Sequence, residues 1–164
     1  MPSINLDSQQ EIAAFILESL PGHRQFALAT VDPEKNPWAV CLGLSYTKDM
    51  DIVWASRKDT LHSRYVKENP QVSICIFSET ESRGDFGFYS VGIAHEVTQE
   101  DELTGLLTVR FTDKGKAAPP VQDFLGDSPM RIYAAKLSQA WVNDDRHTKT
   151  EVNLATLRAA AKNQ

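Results

Sequence analysis

At 164 residues and 41% hydrophobic content the chain has the size of one domain and enough apolar side chains for one core, which argues against two independent domains. Its formal charge of -5, from 17 Lys and Arg against 22 Asp and Glu, works against a phosphate backbone as partner, so no nucleic-acid role is expected. No stretch approaches the roughly 20 apolar residues of a membrane helix, and the N-terminus lacks the basic-then-apolar order of a secretory signal, so no membrane association and a cytoplasmic location are expected.

Ser8-Gln9-Gln10-Glu11 has the spacing of a capping box. Ile12, Phe15, Ile16 and Leu20 follow at helical intervals until Pro21-Gly22, which predicts an amphipathic helix over about 8–20. The period then changes. Residues 26–31 are apolar and β-branched, Asp32-Pro33-Glu34-Lys35-Asn36-Pro37 carries turn chemistry, and 38–46 reads as the partner strand. Thr47-Lys48-Asp49-Met50-Asp51 makes a second polar turn before a short third strand at 52–55. Asp59 or Thr60 can cap a short helix with Leu61, Tyr65 and Val66 on one side, which Pro70 stops. Residues 72–77 follow as a fourth strand, apolar on both faces, then 78–85 as a polar connection. A fifth strand is expected over 86–97, where Gly87 and Gly92 permit bends or bulges.

Leu103, Leu106, Leu107 and Phe111 recur at helical spacing over 100–111, with Gly105 counting against the helix. Residues 114–120 read as a loop, 131–135 and 139–142 as closing strands, and Asn143-Asp144-Asp145 as a turn. An edge strand at 151–154 and a helical tail over 155–164 complete the chain. With no internal repeat and no linker-like composition, the reading is one domain over 1–164 with its barrel at about 26–154. The fold class is mainly β with peripheral helices, a six-stranded antiparallel barrel. Cys41 and Cys75 fall in apolar strands and are expected as buried free thiols without nucleophilic or redox duty. His23, His95 and His147 form no ligand spacing with them, so no metal site is expected.

Charge is uneven along this acidic chain. Arg57, Lys58, Arg64 and Lys67 stand against Asp59 alone, so 57–67 carries +3 with His62 among them. Ser56, Thr60 and Ser63 add hydroxyls, and the start of a helix adds free N–H groups and a positive dipole end, the ingredients of a phosphate site. The same pattern also describes an ordinary solvated helix face, and charge alone does not choose between the two.

The run Trp54-Ala55-Ser56-Arg57-Lys58-Asp59-Thr60-Leu61-His62-Ser63-Arg64-Tyr65, followed by Asn69-Pro70-Gln71-Val72-Ser73-Ile74, resembles the FMN-binding split barrels related to pyridoxamine 5′-phosphate oxidase. Ala29-Thr30-Val31-Asp32 through Asn36-Pro37-Trp38-Ala39 resembles the opening hairpin of that family. Tyr89-Ser90-Val91-Gly92-Ile93-Ala94 is similar to its glycine-bearing fifth strand, and Arg131-Ile132-Tyr133 and Trp141-Val142-Asn143-Asp144 to its closing strands. The likeness runs over about 26–154, in the same order as the predicted elements. It implies a six-stranded split barrel that holds FMN across a homodimer interface, acting as an oxidoreductase that passes hydride or electrons to or from a small molecule. By position it puts Val40, Cys41 and Leu42 beside the flavin ring. Ser56, Thr60, Leu61 and His62 fall at the phosphate, with Ala55 at the adjoining strand end and Arg57 and Arg64 as added charge.

Departures from the family pattern narrow this. Where the oxidase has an arginine and a substrate-contacting lysine in its second strand, this chain has Val40 and Ser45. The oxidase's serine-arginine-lysine run becomes Thr60-Leu61-His62. Pyridoxamine phosphate oxidation is therefore not expected, and a phosphate is expected to rely on His62, Arg57 or Arg64, the Ser56 and Thr60 hydroxyls and backbone amides, drawing His62 toward its protonated form as it binds. Trp141 with Arg146 resembles the aromatic and arginine that the oxidase brings to the flavin near its C-terminus, but the spacing differs and a packing role is expected. A flavin carries its own redox chemistry, so no catalytic side chain is singled out. The same residues also allow a flavin carrier or stress-related protein without turnover, and a split barrel holding a deazaflavin or haem. Haem would draw an axial ligand from His23, His62, His95, His147 or the cysteines.

Overall fold

Helix α1 (Gln9–Ser19) opens the computed structural model, which describes residues 8–80, 84–112, 114–143 and 148–164. The capping box that predicts it is complete: Ser8 Oγ accepts from the Glu11 amide at 3.2 Å, and the Glu11 carboxylate accepts from the Ser8 amide at 3.0 Å. Strands β1 (Gln25–Val31) and β2 (Pro37–Gly43) form the predicted hairpin. Its turn is closed by Asp32, whose carboxylate accepts from the Asn36 amide at 2.7 Å. Strand β3 (Ile52–Arg57), helix α2 (Leu61–Glu68), β4 (Gln71–Thr80) and β5 (Gly84–Glu96) follow. Helix α3 (Glu100–Thr112) forms despite Gly105, because Leu103 and Leu107 bury its inner face. Strand β6 (Met130–Asn143), the short β7 (Lys149–Glu151) and helix α4 (Leu154–Lys162) complete the order. Asp144, Asp145, Arg146 and His147, and with them the predicted turn and the Trp141–Arg146 pair, lie outside the described residues, as do 81–83 within the 78–85 connection.

The strands make one antiparallel sheet in the order β2-β1-β4-β5-β6-β3, with β7 paired to β6. Its two ends approach at a bridge between Tyr46 and Ile52 and at a bond from the Val53 amide to the Ser45 carbonyl at 2.8 Å, which bends the sheet into a split barrel without closing it. Seven strands stand where six are expected, since an edge strand forms at β7, which meets the predicted 151–154 only at Glu151 because Leu154 already starts α4. The two predicted closing strands are one strand, β6. Val91 pairs with Gln139 and Gly92 with Leu137, so Ser138 is the extra residue of a bulge that breaks the alternation and makes the segment read as two.

Strand alternation splits the apolar side chains between two cores. The main core takes Phe26, Leu28, Trp54, Ile74, Phe88 and Tyr133, sealed by α1 and α4. Within it Trp54 stacks on Tyr133 with ring centroids 5.6 Å apart and 14° between planes. On the opposite face of β3 and β6, Val53, Ile132 and Ala134 pack beneath Leu103 and Leu107 of α3 and beneath Phe124. No such cover lies over the corresponding face of β2, β1, β4 and β5 among the described residues. Cys41, Ala27, Cys75, Tyr89 and Trp141 form one cross-strand row there. The two cysteines are thus not the buried thiols expected: Cys41 is exposed and Cys75 half-buried, because both fall on the outward phase of their strands. Among the described residues no helix is long and apolar enough to cross a membrane.

The bulge supplies a stability test. A Cβ at Gly92 would stand 2.4 Å from the Lys136 carbonyl oxygen, a backbone atom that can move only by opening the β5–β6 ladder. Gly92→Ala should lower stability by roughly 1–3 kcal/mol, read as a lower urea midpoint at unchanged slope. A midpoint equal to that of the unmodified protein would show that the strands are not held this closely.

Candidate functional site

The site is built where β3 gives way to α2. The chain leaves the sheet after Arg57, tied down by a bond from the Lys58 amide to the Pro129 carbonyl at 2.9 Å. Thr60 then takes an extended conformation as N-cap, with φ -73° and ψ 157°. Its hydroxyl does not cap the helix. It turns back to the Arg57 carbonyl at 3.0 Å, leaving the first-turn amides of α2 without the usual side-chain acceptor.

Around that turn lies a buried polar cluster. Ser56 Oγ stands 2.6 Å from His62 Nε2, Thr60 Oγ1 stands 3.1 Å from the same nitrogen, and Thr60 Oγ1 is 2.9 Å from Ser63 Oγ. Ser63 in turn hydrogen-bonds the hydroxyl of Tyr133 on β6. Ser56, His62, Ser63 and Tyr133 are all more than nine-tenths buried. Burial lowers the His62 pKa below its ordinary value and raises that of Tyr133, against an opposing effect of its bond to Ser63. Without a ligand, burial thus favours the neutral ring, which lies inside the fold and meets hydroxyls; the protonated form expected from the sequence belongs to the phosphate-bound state.

The positive charge of 57–67 does not converge here either. Arg57 grips Asp59 through Nε at 2.9 Å and Nη2 at 2.6 Å, a surface pair that leaves little net charge. Lys58, Arg64 and Lys67 are exposed. Leu61 is half-buried at the first turn. Ala55 points away from the corner, into the second core on the other face of β3 from Ser56. Of the expected phosphate-side residues, the structure brings together Ser56, Thr60 and His62. It adds Tyr133, which local sequence could not show because only the β3–β6 pairing carries it there.

Helix α2 packs against β1, β5 and β2, which places the corner beside the ring-side strand. Val40 and Leu42 are half-buried with their side chains toward the main core, while Cys41 is exposed on the other face. The three therefore do not present one surface. Among the described residues β2 ends the sheet and pairs along its length with β1 alone, so the backbone groups of its other edge can meet a planar polar ligand. Phosphate at the α2 turn and a ring along β2 fit these residues, with hydroxyls and amides taking the place of fixed cations. Burial pushes the Cys75 thiol up, away from thiolate chemistry. Among the described residues no group of three His, Cys, Asp or Glu side chains could hold a metal ion.

A second feature lies past the end of β2. A cavity of about 740 Å³ is lined by His23, Arg24, Ser45, Tyr46, Lys114 and Lys116, among others. Buried Arg110, at the end of α3, donates from Nη1 to Ser45 Oγ at 3.3 Å. Sequence reading missed this cationic hollow because its charges come from elements far apart in the chain.

A family model described as pyridoxamine 5′-phosphate oxidase matches residues 9–155. None of the curated proteins matches the chain in sequence. Among solved structures, a heme binding protein from Mycobacterium smegmatis superposes with a TM-score of 0.71 at 17% identity, over 93% of this chain and 60% of that one. The chain thus spans about 60% of the length of that protein. HutZ, the heme storage protein from Vibrio cholerae, gives a TM-score of 0.62 at 18% identity over 82% of this chain and 97% of its own. A FAD-binding protein from Mesorhizobium loti gives 0.60 at 16% identity over 78% and 91%. At these identities the superpositions establish the split-barrel fold.

The buried ring makes stability depend on pH in a defined direction. With the folded pKa of His62 below its ordinary 6.5, the unfolded chain takes up the proton first. The contribution is complete above 6.5 and is lost as pH falls through the lower folded value. The stability advantage of the unmodified protein over His62→Gln should therefore shrink between about pH 7.5 and about pH 5, measured by urea midpoints. A constant gap would place the ring in solvent.

Proposed function

Because the chain belongs to the pyridoxamine 5′-phosphate oxidase family, we propose that it binds FMN and acts as an FMN-dependent oxidoreductase on a small molecule other than pyridoxamine 5′-phosphate. The observation that carries this is the α2 turn, where uncapped amides and the hydroxyls of Ser56 and Thr60 meet beside an unpaired strand edge. The hydroxyls and amides would hold the phosphate. The free edge of β2 would orient the ring, and Val40 and Leu42 would keep its surroundings dry. A bound flavin supplies hydride and electron transfer from its own ring, so a protein nucleophile is not required. Val40 and Ser45, in place of the oxidase's arginine and lysine, argue against pyridoxamine phosphate as substrate.

The proposal includes a homodimer. The outward row Cys41–Ala27–Cys75–Tyr89–Trp141 is small or aromatic and uncharged, and neighbouring Phe77 is 63% exposed. A second copy seated there would cover β2 and complete the ring side of the site.

Haem is the second reading, favoured by the two heme proteins among the similar structures. In this chain His62 is engaged with Ser56 and Thr60, and His95 with Glu102 at 3.1 Å. His23 uses Nδ1 on the Ser19 carbonyl and leaves Nε2, buried in the wall of the cationic cavity, as the ring nitrogen for an axial role.

Titration of the purified protein, followed by flavin absorbance and fluorescence, should show FMN binding at least about 10-fold tighter than riboflavin, since the phosphate contacts distinguish them. Equal affinities would remove the phosphate site, and a Soret band with haem but no FMN binding would favour the second reading. Bound flavin that a reductant bleaches and a substrate reoxidises over many turnovers marks an enzyme; a single stoichiometric cycle marks a carrier. Ala27→Arg, which sets a charge in the outward row between Cys41 and Cys75, should convert a dimer to a monomer in sedimentation and weaken FMN together with it. A dimer that survives the change would place the interface elsewhere.

A further inference from the structure

We infer that His62 is a positioning residue that, as the neutral Nε2–H tautomer, turns the Ser56 hydroxyl into a hydrogen-bond donor toward an incoming phosphate. The inference rests on the reading of the α2 turn as a phosphate site, and goes beyond it by assigning the protons.

Thr60 has one hydroxyl proton, and the Arg57 carbonyl at 3.0 Å, which can only accept, holds it against Ser63 Oγ at 2.9 Å and the His62 ring. With its proton on that carbonyl, Thr60 Oγ1 accepts from His62 Nε2 at 3.1 Å. The hydrogen of that contact therefore sits on Nε2. The same N–H points to Ser56 Oγ at 2.6 Å, a shared three-centre arrangement in which Ser56 also accepts. Ser56 then keeps its own proton. Without a ligand that proton has a weak resting place on Thr60 Oγ1, 3.5 Å away, and an anion with a strong acceptor oxygen can draw it outward.

The opposite tautomer would reverse the site. A bare Nε2 would take the Ser56 proton, and Ser56 would offer only lone pairs to a phosphate, which repels them. Tyr133, 1% exposed and bonded to Ser63, closes the inner end of the cluster against water that could supply alternative partners. Burial also opposes protonation of the ring, so the neutral form is the one available for this task. A histidine in this place thus contributes direction rather than charge.

Two measurements test this. Long-range 15N–1H correlation of the His62 imidazole in the unmodified protein, with and without FMN, should show a protonated Nε2 and a bare Nδ1 in both states. An Nδ1–H ring, or an imidazolium in the FMN complex, overturns the inference. The second readout is the ratio of riboflavin to FMN dissociation constants, which isolates the phosphate. His62→Gln, which returns an N–H donor to the same region, should keep that ratio within about 3-fold, whereas His62→Leu and Ser56→Ala should each reduce it by about 10-fold. Because His62 acts through Ser56, the double variant should be no worse than Ser56→Ala alone. Additive losses, or a Gln variant as weak as Leu, overturn it. If the unmodified protein binds FMN no better than riboflavin, the phosphate reading falls with it; a wrong tautomer in a protein that does discriminate them overturns the His62 assignment by itself.

Discussion

Strand alternation decides what this sheet can offer a ligand. Side chains along β1, β2, β4 and β5 send one phase into the main core, and the other phase has no helix laid over it among the described residues and meets only single side chains, Lys149 over the Tyr89 ring at 4.3 Å and Glu102 on His95 at 3.1 Å. Across β3 and β6 the second phase is buried as well, beneath α3 and Phe124. The sheet is therefore double-sided at one end and single-sided at the other, and the turn from β3 into α2 sits where the two regimes meet. A site in such a place has a rigid wall behind it and an uncovered face beside it. That is the geometry a second copy would complete.

The same constraint explains why the corner is polar and yet neutral. Ser56 follows Trp54 on the core-facing phase of β3, so its hydroxyl is buried and has to find a partner. His62 and Ser63 start a helix packed against β1 and β5, and they are buried for the same reason. A charged ring there would lose its hydration without a carboxylate to compensate, whereas a neutral one satisfies two hydroxyls. The cluster is therefore consistent with burial at every member, from Ser56 to Tyr133, and leaves the first-turn amides of α2 without a side-chain cap. Those amides are the strongest anion donors that burial does not consume.

Much of the architecture was legible because local chemistry and tertiary packing agree. Ser8 and Glu11 announce α1, Asp32 to Pro37 announce the first hairpin, and the apolar stripe of Leu103 and Leu107 outweighs Gly105 in α3. What could not be read were properties that depend on a partner strand. Cys41 looks buried in an apolar run, but its phase faces outward, and the single inserted Ser138 makes one strand look like two. At the site, the family resemblance implied that Ser56, Thr60 and His62 stand together, and the structure brings them together. The burial of His62 beside Ser63 and Tyr133 was not legible, because only the β3–β6 register brings Tyr133 there. The +3 of the window does not gather at the turn: Asp59 takes Arg57, and Lys58, Arg64 and Lys67, which carry the remaining charge, are exposed.

Charge has also moved along β2 and the residues just after it relative to the oxidase pattern. The positions that carry arginine and lysine there are Val40 and Ser45 here, yet Ser45 receives a guanidinium from Arg110, and Arg24, Lys114 and Lys116 gather around the adjoining cavity. A ring lying along residues 40–42 would then sit between a neutral phosphate grip and a cationic hollow. Hydroxyls and amides select a phosphate by the directions of its oxygens, and they lose less to salt than exposed Lys or Arg contacts do. Positive charge near the ring would stabilise the reduced, anionic flavin. On the proposed reading, the substitutions that remove cations from β2 and the α2 turn transfer electrostatic control from holding the coenzyme to tuning it, and the cationic hollow would also favour substrates with a negative group.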